Sequence, residues 1–321
     1  MVTNSNREER LKVIRETYRL AETDKEIRVM KITSIRYLCF VLVVIAMLAV
    51  SPVVSGQRNF DDVEIVTTQL DDNLYYLQGQ GGQIGVLAGP DGILMVDTQF
   101  APLTDRIVAA IREISTEPIK FALNTHEHGD HSGGNSNLAG MGVTVMARDE
   151  LRAALAGSDN PPERLPMVTF DGPVTFHMNG EVARAIPVAV AHTNGDTMVY
   201  FENADVLMTG DFYRSAGYPN IAIQNGGSLE GMLLGLGRVI GNSGPNTRIL
   251  PGHGPIVDRD EVRGHRDMML VLMEQVQERL DQGMTEDQIV AAGLTDAFDA
   301  QVRNPGTTNE RFIRQLVQEL Q

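Results

Sequence analysis

Short runs of aliphatic and β-branched residues recur along the chain from residue 63 onwards, and turn-forming residues separate them. Clusters rich in Asp, Asn, Gly and Pro at 71–73, 79–82 and 89–92 interrupt the first runs, as expected for an antiparallel meander. The pattern predicts strands at 63–68, 74–78, 84–88, 93–96, 119–124, 143–146, 168–177, 182–190, 198–201, 206–209 and 248–250.

Helical spacing of apolar residues occurs between these runs and dominates the end of the chain. Ile107, Ile111 and Ile114 fall on one face of segment 103–114. The same criterion predicts helices at 134–138, 148–155, 229–240, 261–282, 286–292 and 310–320. Two successive halves of strands and helices bury both sheets if they pack as an αββα sandwich. We therefore predict a mixed α/β (α+β) fold of four layers.

Residues 30–56 carry the pattern of a targeting segment. Lys31 and Arg36 precede an apolar run at 37–50, which small residues and a proline follow. This order is typical of a secretory signal peptide. The run is shorter than the ~20 apolar residues that a membrane-spanning helix needs. A signal anchor is the alternative if the run continues to Val54.

The polar stretch before that segment, residues 1–29, allows two interpretations. It is either an upstream extension, with the natural start at Met30, or a cytoplasmic tail. The extension is favoured because signal peptides begin close to their basic residues. With cleavage near Ser55–Gln57, residues 57–321 would form one exported domain, periplasmic or secreted. A membrane is expected as a partner only if the apolar segment stays uncleaved.

Composition narrows the partners and the metal chemistry. The formal net charge of −15 over 321 residues disfavours nucleic acid, because an acidic protein repels phosphate backbones; its plainer interpretation is solubility. A small-molecule substrate is the expected partner. Cys39 is the only cysteine and lies in the apolar segment. A metal in the exported domain would therefore be bound by histidine and carboxylate, which suits zinc. The sequence leaves the oligomeric state open.

Three histidines and one aspartate fall within six residues after a predicted strand, at His126, His128, Asp130 and His131. Side chains two residues apart share a side of extended backbone, so His126 and His128 can face one point. Gly129 lets the chain bend, which allows Asp130 and His131 to reach a second point. Imidazole and carboxylate are ligands that zinc prefers.

Three further candidates, His192, Asp211 and His253, each follow a predicted strand and have a glycine close by, in the segments H-T-N-G, T-G-D and P-G-H-G. Loops at strand ends can bring such side chains to a common edge. A surface histidine cluster is the alternative, but it does not explain candidates at three further strand ends. His177 and His265 fit no such position and are expected to be structural or exposed.

The order of the motifs H-x-H-x-D-H, H-T-x-G, T-G-D and P-G-H-G resembles the metallo-β-lactamase superfamily of hydrolases. With the early strand G-I-L-M-V-D-T at 92–98, the resemblance covers about residues 63–265. It implies the four-layer metallo-β-lactamase fold and two Zn²⁺. It places the first metal on His126, His128 and His192, the second on Asp130, His131 and His253, and Asp211 between both.

The resemblance also implies the chemistry. Two zinc ions ~3.5–4 Å apart would lower the pKa of a shared water to near neutral, and the resulting hydroxide would attack a carbonyl or phosphoryl centre. Asp130 would be catalytic, because it orients the hydroxide by accepting a hydrogen bond. Asp97 would orient the metal ligands from behind, or else cap a turn at the end of its strand.

Three features bear on substrate binding, each with a plainer alternative. Arg214, three residues after Asp211, could pair with a substrate carboxylate or be an ordinary surface arginine. Asn225 could donate to an oxyanion or be a turn residue. Segment 79–82 could be a mobile hairpin tip over the site or a plain turn.

The expected activity is that of a binuclear zinc hydrolase attacking a β-lactam amide or a similar cyclic amide or ester. Asp211 stands where some β-lactamases carry cysteine, whereas lactonases, thioesterases and phosphodiesterases of the superfamily keep an aspartate. Those activities are therefore alternatives. An auxiliary periplasmic protein of an oxidation pathway and a non-catalytic metal-binding module are others. The complete ligand set argues against single-iron chemistry and against the non-catalytic module.

Overall fold

The computed structural model of the protein describes residues 59–158 and 160–321. Three sequence features lie outside the described residues: the predicted extension at 1–29, the signal peptide or anchor at 30–56, and Cys39 within it. The described residues cover nearly all of the part predicted to form the exported domain.

The first sheet consists of β1 (Val66–Gln69), β2 (Leu74–Gln78), β3 (Ile84–Leu87), β4 (Ile93–Val96), β5 (Ile119–Leu123), β6 (Thr144–Arg148) and β7 (Val168–Phe170), adjacent in that order. Neighbours from β1 to β4 are antiparallel, as predicted for the meander. Neighbours from β4 to β7 are parallel, so the C-terminal ends of β4 and β5 lie side by side.

The second sheet consists of β8 (Val174–Met178), β9 (Glu181–Pro187), β10 (Thr197–Phe201), β11 (Val206–Met208) and β12 (Arg248–Leu250), again adjacent in that order. Pairing is antiparallel from β8 to β11 and parallel between β11 and β12. As a result β9, β11 and β12 run in one direction, and the loops that follow them leave the sheet at the same end.

The helices are α1 (Thr104–Ile114), α2 (Gly129–Ser132), α3 (Asn135–Gly140), α4 (Asp149–Ala156), α5 (Leu229–Asn242), α6 (Arg259–Asp281), α7 (Glu286–Val290) and α8 (Thr308–Leu320). α6 begins after Asp258, whose side chain accepts hydrogen bonds of 2.9 Å from the amides of Asp260 and Glu261. Within the described residues, no helix is long and apolar enough to cross a membrane.

Alternation of side chains along the strands sorts the core into layers. In β4, Leu94 packs between the sheets, whereas Met95 packs with the apolar face of α1. In β11, Met208 packs between the sheets, whereas Leu207 packs with residues of α5, α6 and α8. Helices therefore cover the outer face of each sheet, and the predicted αββα sandwich is confirmed.

The prediction of one strand at 168–177 is wrong, because this segment forms two strands, β7 and β8, which belong to different sheets. The chain turns between them at Asp171-Gly172-Pro173, where proline cannot donate to a ladder. The hydrophobic pattern does not reveal this change of sheet, because Phe170 and Phe176 on its two sides both pack into the core between the sheets.

The last helix is fixed to the body of the protein by its apolar face. Phe312 of α8 is fully buried and stacks on Tyr218, with ring centroids 6.3 Å apart. We expect Phe312→Ala to lower the free energy of unfolding by about 3–5 kcal/mol, because a large buried side chain is removed. Leu234→Ala, at a side chain 55% exposed on α5, should change it by less than about 0.5 kcal/mol. Urea denaturation of both variants measures the difference, and equal midpoints would contradict it.

Candidate metal centre

The predicted ligands meet at one end of the sandwich, because each follows the C-terminal end of a strand. The cluster at 126–131 follows β5 of the first sheet. His192 follows β9, Asp211 follows β11 and His253 follows β12 of the second sheet. The candidate ligands from the two sheets therefore meet at one end of the sandwich, where both sheets end.

The first group consists of three histidines, His126, His128 and His192. His128 Nδ1 lies 3.1 Å from His126 Nε2 and 3.0 Å from His192 Nε2. Nitrogens bound to one tetrahedral zinc, with bonds of about 2.0–2.1 Å, lie roughly 3.3–3.4 Å apart. The three nitrogens therefore fit a single ion between them after small adjustments.

The second group consists of Asp130, His131 and His253. Nε2 of His253 lies 3.2 Å from Oδ2 of Asp130 and 3.5 Å from Nε2 of His131. α2 begins directly after His128 and carries Asp130 and His131, and the His131 ring lies 4.1 Å, centroid to centroid, from that of His126 in the first group. His131 is fully buried, whereas the side chains of Asp130 and His253 are 25% and 21% exposed, so solvent reaches this position.

Asp211 lies between the two groups. Its Oδ1 is 3.3 Å from Nε2 of both His131 and His253, and its Oδ2 is 3.8 Å from Nε2 of His192. Oδ1 is buried and accepts no hydrogen bond of good geometry. One carboxylate thus presents an oxygen to each group, and the buried oxygen lacks the partner that a cation would supply.

Asp97 binds the segment that carries the first histidines. Its carboxylate accepts hydrogen bonds from the amide of Thr125 at 2.7 Å and from the Thr125 hydroxyl at 2.8 Å. It also lies 2.7 Å from Nδ1 of His131. This contact leaves Nε2 of His131 to face the centre. The backbone of Asp97 has φ +66°, a conformation that non-glycine residues rarely adopt, and such strain concentrates at functional sites.

His192 is oriented by a backbone carbonyl. Its Nδ1 lies 2.6 Å from the oxygen of Asn220, which places the proton on Nδ1 and leaves Nε2 free to bind a cation. Asn220 belongs to a loop between β11 and α5 and precedes a turn at Ile223–Asn225. The first group therefore depends on a loop 28 residues further along the chain.

Known proteins share part of this sequence and this architecture. The family model described as the metallo-beta-lactamase superfamily matches residues 78–253. The chain belongs to the metallo-β-lactamase superfamily. The match includes every residue of both metal groups.

Curated relatives of this superfamily member include two hydroxyacylglutathione hydrolases. The one from Polaromonas sp. is 25% identical over 47% of this chain and 55% of its own length. The one from Methylococcus capsulatus is 36% identical over 28% of this chain and 32% of its own length. The lactamase-like protein aptB of Emericella nidulans is 30% identical over 49% of this chain and 48% of its own length. The chain spans about half the length, or less, of these relatives.

Solved structures of the superfamily share the fold at lower identity. A metallo-β-lactamase from Pontibacter korlensis is 19% identical, with a TM-score of 0.58 over 64% of this chain and 99% of that one. The DIM-1 metallo-β-lactamase is 18% identical, with a TM-score of 0.57 over 65% of this chain and 98% of that one. At this identity the likeness shows the fold.

The electrostatics differ between the two groups: burial lowers the pKa values of His126 and His192 in the first, whereas in the second, against the effect of burial, nearby carboxylates raise those of His131 and His253. Burial lowers the pKa of His192 to about 4 and holds that of His126 well below its usual value, with help from neighbouring histidines. Both rings are therefore neutral, which is the form that binds metal. Burial would raise the pKa of Asp211, but His253 and His131 hold it well below its usual range. Burial likewise opposes ionisation of Asp130, yet its contact with His253 and the charge of His131 lower its pKa to about 2.

Glycines let loops approach the ligands closely. A β-carbon on Gly82 would lie 2.1 Å from Cε1 of His131, and one on Gly252 would lie 2.0 Å from Oδ1 of Asp211. The Gly82 amide donates to the carbonyl of Asp130 at 3.1 Å. Segment 79–82 was predicted to be either a mobile hairpin tip or a plain turn. In this structure it is hydrogen-bonded to the backbone of Asp130.

The two predicted substrate residues, Arg214 and Asn225, lie in the loop between β11 and α5. Arg214 makes no hydrogen bond or ion pair to the residues that the structure describes. Its side chain lines a cavity of about 220 Å³ with Glu261 and Arg303, and no metal-centre side chain lines that cavity. Asn225 ends a turn, Gly226 follows it at φ +76°, and its carbonyl accepts from the amide of Asn194 at 3.0 Å.

The two histidines without a predicted ligand role lie away from both groups. His177 is exposed on β8. His265 on α6 packs edge-on against Tyr213, with ring centroids 5.0 Å apart, and burial lowers its pKa to about 4.

Several supporting residues escape sequence reasoning. Asn124 and Asn135 exchange side-chain hydrogen bonds of 3.1 and 2.7 Å, and Asn124 also donates to the carbonyl of His131 at 3.3 Å. Thr98 donates from its hydroxyl to the same carbonyl at 3.1 Å. Asn124 directly follows β5 and Thr98 lies two residues after β4, and these positions were a usable signal, whereas the backbone role of Asn220 left none.

Gly82→Ala tests the packing of the hairpin tip on the second group. The added methyl group cannot fit beside His131 without displacing its ring or the tip. We expect zinc affinity at the second group to fall at least tenfold, as for other losses of ligand support. Gly140→Ala, where no atom lies within 4 Å of the added carbon, is the control. Zinc titration of both variants, with melting curves of the metal-free forms, makes the comparison. Unchanged zinc binding in Gly82→Ala would show that His131 needs no such space.

Proposed function

We propose that the protein is a binuclear zinc-dependent hydrolase of an acyl compound, with the scissile bond in an ester, a thioester or a lactam. The observation that carries the proposal is the placement of Asp211, which presents one oxygen to each of two ligand groups. The donor set of five histidines and two aspartates contains no thiolate. Such a set suits zinc, and the buried Oδ1 without a hydrogen bond suits a cation.

The chain's residues would divide the work between the two positions. His126, His128 and His192 would hold the first metal, and Asp130, His131 and His253 the second. When bound, such a pair supplies a water of near-neutral pKa and polarises the substrate oxygen. Asp130 is ionised and partly exposed, so its carboxylate can accept a hydrogen bond from the attacking water and fix its direction.

Within this class, thioester or ester hydrolysis is the first candidate. Two of the relatives are named hydroxyacylglutathione hydrolases, and an acyl group on glutathione is a thioester. The aspartate at position 211 agrees with the superfamily's thioesterases and lactonases. Amide hydrolysis of a β-lactam is the second candidate, because Arg214 stands where some β-lactamases keep a cation for the substrate carboxylate.

The location and the partners remain part of the proposal. The pattern at residues 30–56 supports export. A small-molecule substrate is proposed as the partner, and the net charge of −15 disfavours a nucleic acid. Zinc loading is consistent with an exported protein that lacks cysteine after residue 57.

Zinc content and a substrate panel test the proposal, with Asp211→Asn as the variant and Asp105→Asn, at an exposed position of α1, as its control. We expect about two zinc ions per chain, with S-lactoylglutathione hydrolysed faster than a neutral γ-lactone or a chromogenic cephalosporin. Asp211→Asn removes the charge shared by both groups, so it should lose about one zinc and roughly 100-fold in kcat. One iron per chain, or no metal, would overturn the binuclear mechanism. Faster turnover of the cephalosporin would reverse the order of the two candidates.

Arg214→Ala tests whether this unpaired cation binds an anionic part of the substrate. A charge-assisted hydrogen bond is worth roughly 1.5–3 kcal/mol, so KM for the anionic S-lactoylglutathione should rise about tenfold or more. The KM for a neutral thioester should stay the same, as should kcat for both. Arg263→Ala, at an exposed position paired with Asp260 on α6, is the control. An equal change for both thioesters would assign Arg214 no part in charge recognition.

A further inference from the structure

The loop between β11 and α5 wraps around the segment that carries His192. The carbonyl of Asn220 accepts from the His192 ring at 2.6 Å, and the amide of Ala222 donates to the His192 carbonyl at 2.9 Å. The amide of Ser228 donates to the carbonyl of Ala191 at 2.8 Å. The position of the His192 ring is therefore set by where this loop lies.

Three polar side chains of α8 bind that loop one after another, and a fourth binds the first residue of α5. Thr308 Oγ1 accepts from the Tyr218 amide at 2.9 Å. Arg311 Nη2 lies 3.3 Å from the carbonyls of Tyr218 and Pro219, to which it donates. These two side chains thus bind the loop at the residues immediately before Asn220, which orients His192.

Gln315 binds the residue that orients His192 and the residue after it. Its Nε2 donates to Oδ1 of Asn220 at 3.0 Å, and its Oε1 accepts from the amide of Ile221 at 3.0 Å. Further along the helix, Glu319 Oε2 accepts from the Leu229 amide at 2.7 Å. Gln315 therefore binds both the side chain of Asn220 and the peptide N–H that follows Asn220.

The spacing of these residues shows a dedicated face. At 100° per residue, positions 308, 311, 315 and 319 fall within roughly 80° of arc on a helix. The apolar face of α8, which includes Phe312 and Leu316, is buried in the core outside the second sheet. One face fixes the helix to the fold, so the other face can serve as a rigid support. α8 also lies beyond the residues that the family model matches, 78–253.

We propose that α8 is a positioning element for the first metal group: its polar face holds the loop so that the carbonyl of Asn220 fixes the ring of His192. A fixed Nδ1–H donor directs Nε2 at the metal, and outer partners of this kind typically change metal affinity by 10–100-fold. Gln315 is the main positioning residue, because its two hydrogen bonds flank that carbonyl. The inference rests on the proposed binding of two zinc ions. It adds a residue that determines the zinc affinity of the first metal group.

Gln315→Ala tests the inference, with Gln318→Ala as the control, since Gln318 is the same residue type on the exposed side of the same helix. Each is combined with His253→Ala, which leaves the first group intact, and with His128→Ala, which leaves the second group intact. The probe is zinc alone, measured by competition with a chromogenic chelator. We expect Gln315→Ala to weaken zinc binding roughly tenfold in the His253→Ala protein. In the His128→Ala protein the change should stay within about twofold.

Hydrogen exchange of the metal-free single variants supplies a readout that does not depend on metal. The amide of Ile221 should exchange faster in Gln315→Ala than in Gln318→Ala, because its acceptor is removed. Equal loss of affinity at both groups would indicate a general structural effect and overturn the inference. Unchanged affinity at the first group would overturn it as well. Absence of zinc binding in the His253→Ala and His128→Ala parents and in the wild-type protein would overturn the proposed function, and the inference with it.

Discussion

The carboxylate of Asp211 is the contact on which the metal centre depends. It presents Oδ1 to His131 and His253 at 3.3 Å and Oδ2 to His192 at 3.8 Å. Neutral imidazoles bring no charge to offset a divalent cation, so this shared oxygen pair supplies negative charge to both groups. Taking a carboxylate out of water is costly unless charged partners compensate it. In the protein alone His253 and His131 do so, because burial lowers their pKa values but nearby carboxylates raise them, and these two rings hold the pKa of Asp211 well below its usual range.

That carboxylate can serve both groups only because the two sheets end at the same place. β5 delivers the first cluster of histidines from one sheet, and β9, β11 and β12 deliver the remaining ligands from the other. The core between the sheets fixes their separation, and glycines such as Gly82 and Gly252 let the loops reach the ligands without steric conflict. The sandwich therefore acts as the rigid support on which a precise site can be built.

Behind the ligands, the support comes from unrelated parts of the chain. Asp97, at the end of β4, binds Thr125 and His131 together. The loop at Asn220 orients His192, and the polar face of α8 holds this loop. The segment after residue 253 thus contributes to the centre although the family model ends there. Such supporting contacts decide how tightly each position binds, because a ligand ring that can rotate loses part of its binding energy to ordering.

The sequence by itself determined the fold class and singled out the candidate metal ligands, because alternation along strands and the spacing within His126–His131 are local patterns that chemistry constrains directly. It missed the change of sheet after Phe170, since apolar side chains on either side of Gly172-Pro173 pack into the same core. Only the tertiary structure decided which groups lie behind the ligands. Asn220 acts through its carbonyl, which every residue possesses, and Gln315 meets it from 95 residues away. Contacts of this kind depend on the packing of distant elements, so no local pattern of side chains can specify them.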